Sequence, residues 1–269
     1  LAGLLQAQNK PAEAEPLYRA ALQTWRAALP AGHPNIASGL NNLAGLLRAQ
    51  NKLAEAELLY REALQINRAA LPAGHPQIPE SLNNLAALYW RQGKLDQSIP
   101  MFEEALVLLE TAVGRQHPST LLTVANLGVN YKDAGRLSEA IPLLEEAYRA
   151  TRRDPTMAWL VPQLFDAYVK AADAAKPETV ARATTLAREL VADARATLPK
   201  DSPELAGQLA TISVTLLTLQ AWDEAEPLLR ECLAIREQTA PHDWRTFNTK
   251  SMLGGALLVL ADIIARLVV

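Results

Sequence analysis

The sequence has a single cysteine, no excess of either charge and no recognisable leader, and each absence excludes something. Cys232 alone cannot close an internal disulfide, which suits a reducing compartment and makes a cytoplasmic location the expectation. Twenty-six Lys and Arg stand against 29 Asp and Glu, a net charge of −3. No basic footprint for nucleic acid or an anionic membrane follows from that balance. The chain opens on Leu1-Ala2-Gly3-Leu4-Leu5 rather than on Met or a charged-then-apolar leader, so it reads as a fragment beginning inside a helix. A Gly-rich phosphate loop, a CxxC pair and a serine–histidine arrangement are all missing, so neither enzyme activity nor a cofactor is expected. No run alternates apolar and polar residues for long enough to suggest a strand. The most apolar stretch, 252–269, is barely long enough to span a bilayer. Asp262 and Arg266 would each add about 2.5–3.5 kcal/mol near its centre. An amphipathic helix explains it better, and no membrane partner is expected.

What is present is a repeat. Leu1-Ala2-Gly3-Leu4-Leu5 returns as Leu43-Ala44-Gly45-Leu46-Leu47, as Leu85-Ala86-Ala87-Leu88-Tyr89 and as Leu127-Gly128-Val129-Asn130-Tyr131, each 42 residues on. Pro34, Pro76 and Pro118 keep the same spacing, Pro155 and Pro203 follow, and Trp244 takes the equivalent place five full periods after Pro34. A period of this length marks a helical solenoid whose units bury their apolar faces only against neighbours. Each unit reads as two helices. Leu40, Leu43, Ala44 and Leu47 share one face of the first, Gln50-Asn51-Lys52 turns, and Ala56, Tyr60 and Ala63 mark the second. Pro and Gly in Leu71-Pro72-Ala73-Gly74-His75-Pro76 end it. Small residues recur at three places: Ala2, Ala44, Ala86, Gly128, Ser213 and Gly254; Ala14, Ala56, Ser98, Ala140 and Ala225; Ala21, Ala63, Ala105, Ala147 and Cys232. Large partners, Tyr18, Tyr60, Phe102, Leu144 and Leu229, fill the remaining space.

This alternation resembles the tetratricopeptide repeat. The long period, with Leu-Asn-Asn-Leu-Ala at 40–44 and 82–86 and Leu-Pro-Ala-Gly-His-Pro at 29–34 and 71–76, is similar to the kinesin light chain subfamily. Glu224 to Leu233 and Asp243 to Asn248 also resemble repeat tails of bacterial proteins, notably planctomycete serine/threonine kinases. The resemblance implies an all-α right-handed superhelix of about six and a half repeats. One array over 1–269 is expected, irregular at 156–202, with an incomplete last repeat at 244–269. It implies a non-catalytic scaffold that binds a protein or peptide ligand in its concave groove. The alternative is a sensor or regulatory region of a larger bacterial kinase or NTPase.

His33, His75 and His117 share one repeat position, with His242 near the next. Successive copies lie about 10 Å apart, too far to converge on a metal, so they are expected to order the turn before the following helix. Cys232 replaces a core alanine, and Glu103-Glu104 and Glu145-Glu146 read as a solvated helix face. Asparagine is the better lead. Asn42, Asn84 and Asn126 recur at 42, and Asn41 and Asn83 precede the first two. Asn is a mediocre helix-interior residue because its amide competes for backbone bonds, so its repetition implies a task. The resemblance places these amides on the groove wall. They either touch ligand or brace neighbouring helices. Arg48, Trp90, Arg91 and Lys132 lie nearby in register and suit an extended peptide with an apolar anchor and an acidic residue. Leu257, Leu258, Leu260, Ile263, Ile264 and Leu267 would find no second helix of their own repeat, and either self-association through 252–269 or a last helix folded back on the sixth repeat is expected.

Overall fold

The computed structural model describes residues 10–172 and 177–267. The motif at Leu1–Leu5, most of the 174–177 turn, the side chain of Leu267 and residues 268–269 lie outside them. Among the described residues there are twelve α-helices and no strand, so the fold class is the all-α helical repeat. The chain divides into two compact units, Leu1–Gln163 and Leu164–Val269. The first holds α1 (Pro11–Ala28), α2 (Pro34–Ala49), α3 (Leu53–Ala70), α4 (Gln77–Arg91), α5 (Leu95–Val113), α6 (Pro118–Asp133) and α7 (Leu137–Thr151). A 3-10 turn, Pro155–Met157, follows, and the division falls inside α8 (Leu160–Ala172). The second unit continues with α9 (Pro177–Thr197), α10 (Pro203–Thr218), α11 (Trp222–Thr239) and α12 (Trp244–Leu267).

Helix starts follow from one repeated cap. Proline occupies the first turn of α2, α6 and α10, where its missing N–H costs nothing. The residue before each Pro caps the helix. His33 Nδ1 accepts from the Asn35 N–H at 3.1 Å, His75 Nδ1 from Gln77 at 3.3 Å and His117 Nδ1 from Ser119 at 3.2 Å. In later repeats the same task passes to Asp154, Ser202 and Asp243, which accept from Thr156, Leu205 and Arg245. The histidines therefore order the turn, but His242 does not: its neighbour Asp243 is the cap. In the turns after α2, α4, α6 and α10 one residue is left-handed, as a helix end often requires. Gly93 and Gly135 supply it at φ +74°, and Asn51 and Gln220 adopt it at φ 64° and 59°.

Small against large is how the pairs close. Ala44, Ala56, Tyr60 and Ala63 are buried in one cluster of the first unit, and Ala86, Phe102 and Ala140 in the next. At Gly128 a Cβ would meet the Leu144 side chain at 2.9 Å, while at Gly39 it would strike the Trp25 ring at 2.6 Å. One repeat later the Trp25–Gly39 positions are held by Asn67 and Ser81, which hydrogen-bond at 2.9 Å. A bulky apolar residue over glycine and a polar residue on a hydroxyl are two solutions of one interface. In the second unit Cys232 is fully buried and its Sγ–H donates to the Ala206 carbonyl at 3.2 Å. Burial pushes its thiol above the ordinary range.

Outside the core, second helices are tied by ion pairs 36 residues apart. Arg19–Glu55, Arg26–Glu62 and Arg68–Glu104 close at 2.6 Å. Arg195–Glu231 closes at 2.5 Å, and Arg188 pairs with Glu224. Glu104 thus belongs to a ladder, Glu103 accepts from the Tyr131 hydroxyl at 2.6 Å, Glu146 pairs with Arg115 and Glu145 is buried. The solvated-face reading is corrected for Glu145, which is buried; Tyr131 and Arg68 from adjoining helices reach Glu103 and the exposed Glu104, and Arg115 from the turn after α5 reaches Glu146. The tie also holds Tyr131, whose hydroxyl is pushed up to about 12 by burial and by Glu103. At the other end of the unit, bonds from Lys52 and Arg19 hold the Glu15 carboxyl at about 2 against the upward push of burial.

Two measurements check this packing. Gly128→Ala should destabilise by about 1–3 kcal/mol in urea titration, because the new methyl overpacks Leu144. Gly207→Ala, whose Cβ would meet nothing within 4 Å, should gain up to about 1 kcal/mol from helix propensity alone. Equal effects would show that 128 is not a packed position. For Glu15, the folded-state value lies below the ordinary 4.5, so its contribution is present above pH 4.5 and lost as pH falls toward 2. Wild type should exceed Glu15→Gln by at most about 1 kcal/mol at neutral pH, and the gap in thermal melts should close near pH 2.

Candidate functional site

First helices of successive repeats in the first unit approach one another, α2 against α4 and α4 against α6, and together form a wall. The helical period sets which side chains reach it. Asn41 and Asn42 are one residue, about 100°, apart on the helix, and that rotation separates their tasks. Asn41 Nδ2 donates to the Ser81 Oγ at 3.0 Å, and Asn83 Nδ2 to the Thr123 Oγ1 at 2.8 Å. Each bond crosses 40 residues to the next first helix. These two amides brace the stack, and their Nδ2 groups are committed. Their Oδ1 atoms are buried with no partner among the described residues.

Asn42 is exposed and Asn84 and Asn126 are half-buried. None of their side-chain amides has a hydrogen-bond partner among the described residues; at Asn126 it is the main-chain carbonyl that accepts from Asn130 Nδ2 at 2.8 Å. One register position thus presents a free amide in three consecutive repeats. Gly45 and Ala87 lie one turn further along the same helices and keep the wall low beside Asn42 and Asn84. On α6 the matching residue is Val129, which is buried.

The cations and the tryptophan behave differently from one another. Arg91 Nη1 donates to the Arg48 carbonyl at 3.0 Å, which spans two repeats and leaves the Arg48 guanidinium without a hydrogen bond or ion pair among the described residues. Trp90 is 42% exposed, and its Nε1–H donates to Asp133 Oδ2 at 2.7 Å. Lys132, expected as a groove cation, is instead 6% exposed; its Nζ donates to Gln163 Oε1 at 2.7 Å and pairs with Asp133 at 3.3 Å. A buried ammonium needs such partners, so Lys132 anchors the base of the wall and offers no free charge. Asp133, Ser81 and Thr123 went unremarked in the sequence. A signal existed for the two hydroxyls: they are 42 apart, each 40 residues beyond a repeated Asn.

Comparison with known proteins follows the same lines. The tetratricopeptide repeat pattern matches residues 1–69 and 77–153, more than half of the chain, and a second tetratricopeptide repeat pattern matches 205–243. No curated protein matches the sequence. Among solved structures, a kinesin light chain-type protein of Podosopora anserina, built of nearly identical TPR-like repeats, superposes with a TM-score of 0.66. It is 22% identical over 77% of this chain and 98% of its own. BtubC (BKLC) from P. vanneervenii superposes at 0.54 with 18% identity, over 90% of this chain and 80% of its own. A Rap protein complexed with competence and sporulation factor reaches 0.53 at 14% identity, over 97% and 63%. Identities this low speak for the fold alone.

The division of the asparagines can be measured directly. Asn83→Ala removes a cross-repeat hydrogen bond and Asn84→Ala removes none, while both gain the same helix propensity. Asn83→Ala should therefore be less stable than Asn84→Ala by about 0.5–1.5 kcal/mol in urea titration. Equal stabilities would remove the brace.

Proposed function

The chain belongs to the tetratricopeptide repeat family, and from that premise we propose that it is a non-catalytic scaffold whose first-helix wall binds an extended peptide segment of another protein. One observation carries the reading: Asn42, Asn84 and Asn126 stand at one register position with side-chain amides that have no hydrogen-bond partner among the described residues. Neighbouring helices lie roughly 10 Å apart, and an extended chain advances about 3.3 Å per residue. Such a ladder would meet about every third residue of a peptide. Each amide offers a donor and an acceptor to a peptide group, so the ladder binds backbone with little regard for sequence.

Selectivity falls to the residues beside it. The Arg48 and Arg91 guanidiniums suit acidic side chains, and the exposed ring of Trp90 suits an apolar anchor. Asn41, Asn83 and Lys132 take no part in contact; they set the wall's geometry. The fold shared with the Rap protein, solved with a bound factor, supports a role of this kind. Beside a kinase or NTPase domain, the same wall would serve as a sensor. A buried cysteine with no disulfide partner agrees with the cytoplasm as its location, and no cofactor is proposed.

Calorimetry of the chain against a peptide selected from a library tests the reading. Each hydrogen bond contributes about 0.5–1.5 kcal/mol net, so affinity should be micromolar. Asn84→Ala should weaken binding roughly two- to tenfold without lowering the melting temperature, and Trp90→Ala should weaken peptides carrying an apolar anchor. Full affinity in both variants would show that the wall is not the binding surface.

A further inference from the structure

The wall has two edges, and their charges differ. An extended segment crossing the first helices turns successive side chains to opposite sides, one set toward the helix N-termini and the other toward the C-termini. Four residues before the ladder position stand Ser38 on α2, Glu80 on α4 and Leu122 on α6. Six residues after it stand Arg48, Trp90 and Lys132. Most of these are uncharged or already engaged. Ser38 Oγ donates to the Pro34 carbonyl and accepts from Gln77 Nε2, both at 3.3 Å. Trp90 is bonded to Asp133, Lys132 to Gln163, and Leu122 is 44% exposed but apolar.

Two charges remain. Glu80 is exposed and Arg48 half-buried, and neither side chain has a hydrogen bond or an ion pair among the described residues. Arg48 acts on the buried Tyr60 hydroxyl only as a nearby charge. It lies seven residues after Asn41, two full turns, and so on the side of α2 that faces α4. At 1.5 Å per residue, the six and four residues set Arg48 and Glu80 roughly 15 Å apart along the helices, with the amide ladder between them. Opposite charges therefore flank one stretch of the ladder, from opposite edges. Each also suits the dipole of its own helix end, a role that occupies no side-chain atom.

We infer that the segment bound between α2 and α4 carries an acidic and a basic residue side by side, the acidic side chain reaching Arg48 and the basic one Glu80. The inference rests on the first-helix wall being the peptide surface and adds the charge pattern of the partner. Adjacent residues of an extended chain point to opposite edges, whereas residues two apart share an edge. A pair separated by one residue would put both charges on one edge and leave Arg48 or Glu80 unmatched. Partial burial of Arg48 removes water that would otherwise screen its pairing.

Selection of a random decapeptide display library on the intact chain supplies the probe. Enriched peptides should carry Asp or Glu directly beside Lys or Arg, in either order. Moving the basic residue one place further from the acidic one should weaken binding about three- to tenfold in calorimetry. A double-mutant cycle assigns the partner: Glu80→Gln should weaken the parent peptide by a similar factor and leave unchanged the binding of a peptide with Gln in place of its basic residue. Equal weakening of both peptides would reduce Glu80 to a helix-end charge and overturns the inference, as do enriched peptides without an adjacent opposite pair. If such peptides still lose affinity for Asn84→Ala, the wall stands and only its charge pattern is wrong. If Asn84→Ala and Trp90→Ala bind them fully, or no peptide is enriched, the wall is not the binding surface and the inference falls with it.

Discussion

Close approach of helix axes at small side chains is the constraint on which the rest depends. A repeat of this kind cannot bury its apolar face alone, so each helix must reach its neighbours. Gly128 beneath Leu144 and Gly39 beneath Trp25 leave no room for even a methyl group. Ala44, Ala56 and Ala63 around Tyr60 do the same with slightly more volume. Cys232 fits because its sulfur takes an alanine place and finds a carbonyl. Packing at this density makes volume, more than chemistry, the property conserved along the array.

Polar bonds then set how successive repeats align. Ties of three lengths recur: 36 residues between second helices, 40 between the braced asparagines and their hydroxyls, and 43 from Trp90 to Asp133 and from Arg91 to Arg48. Exposed ion pairs of the first kind contribute only about 0–1 kcal/mol each. The half-buried amide bonds matter more for register, because an unmade bond would leave a donor without water or partner. Bracing and recognition share one wall but use different side chains on it. Binding can thus vary at Asn42, Asn84 and Arg48 while Asn41, Asn83 and Lys132 keep the spacing that makes the ladder periodic.

Much of this was legible beforehand, for a physical reason. Helix periodicity, proline at the first turn, the polar turn between the helices and the return of each after 42 residues are read from spacing along the chain. They express local backbone preferences and volumes, and His33, His75 and His117 announce their caps by standing just before a proline. The acidic pairs were misread because a helix face looks solvated until the adjoining helix is known; Arg68 and Tyr131 arrive from other repeats.

By itself the sequence determined the helical repeat, its period and its small and large positions. Each follows from spacing along one chain. Only the tertiary structure decided which of two adjacent asparagines braces and which stays free, that Lys132 is buried while Arg48 is not, and that Asp243 rather than His242 caps α12. These outcomes turn on the side chain waiting some 40 residues away across a helix contact, or on about 100° of rotation within a turn, and no local pattern encodes either.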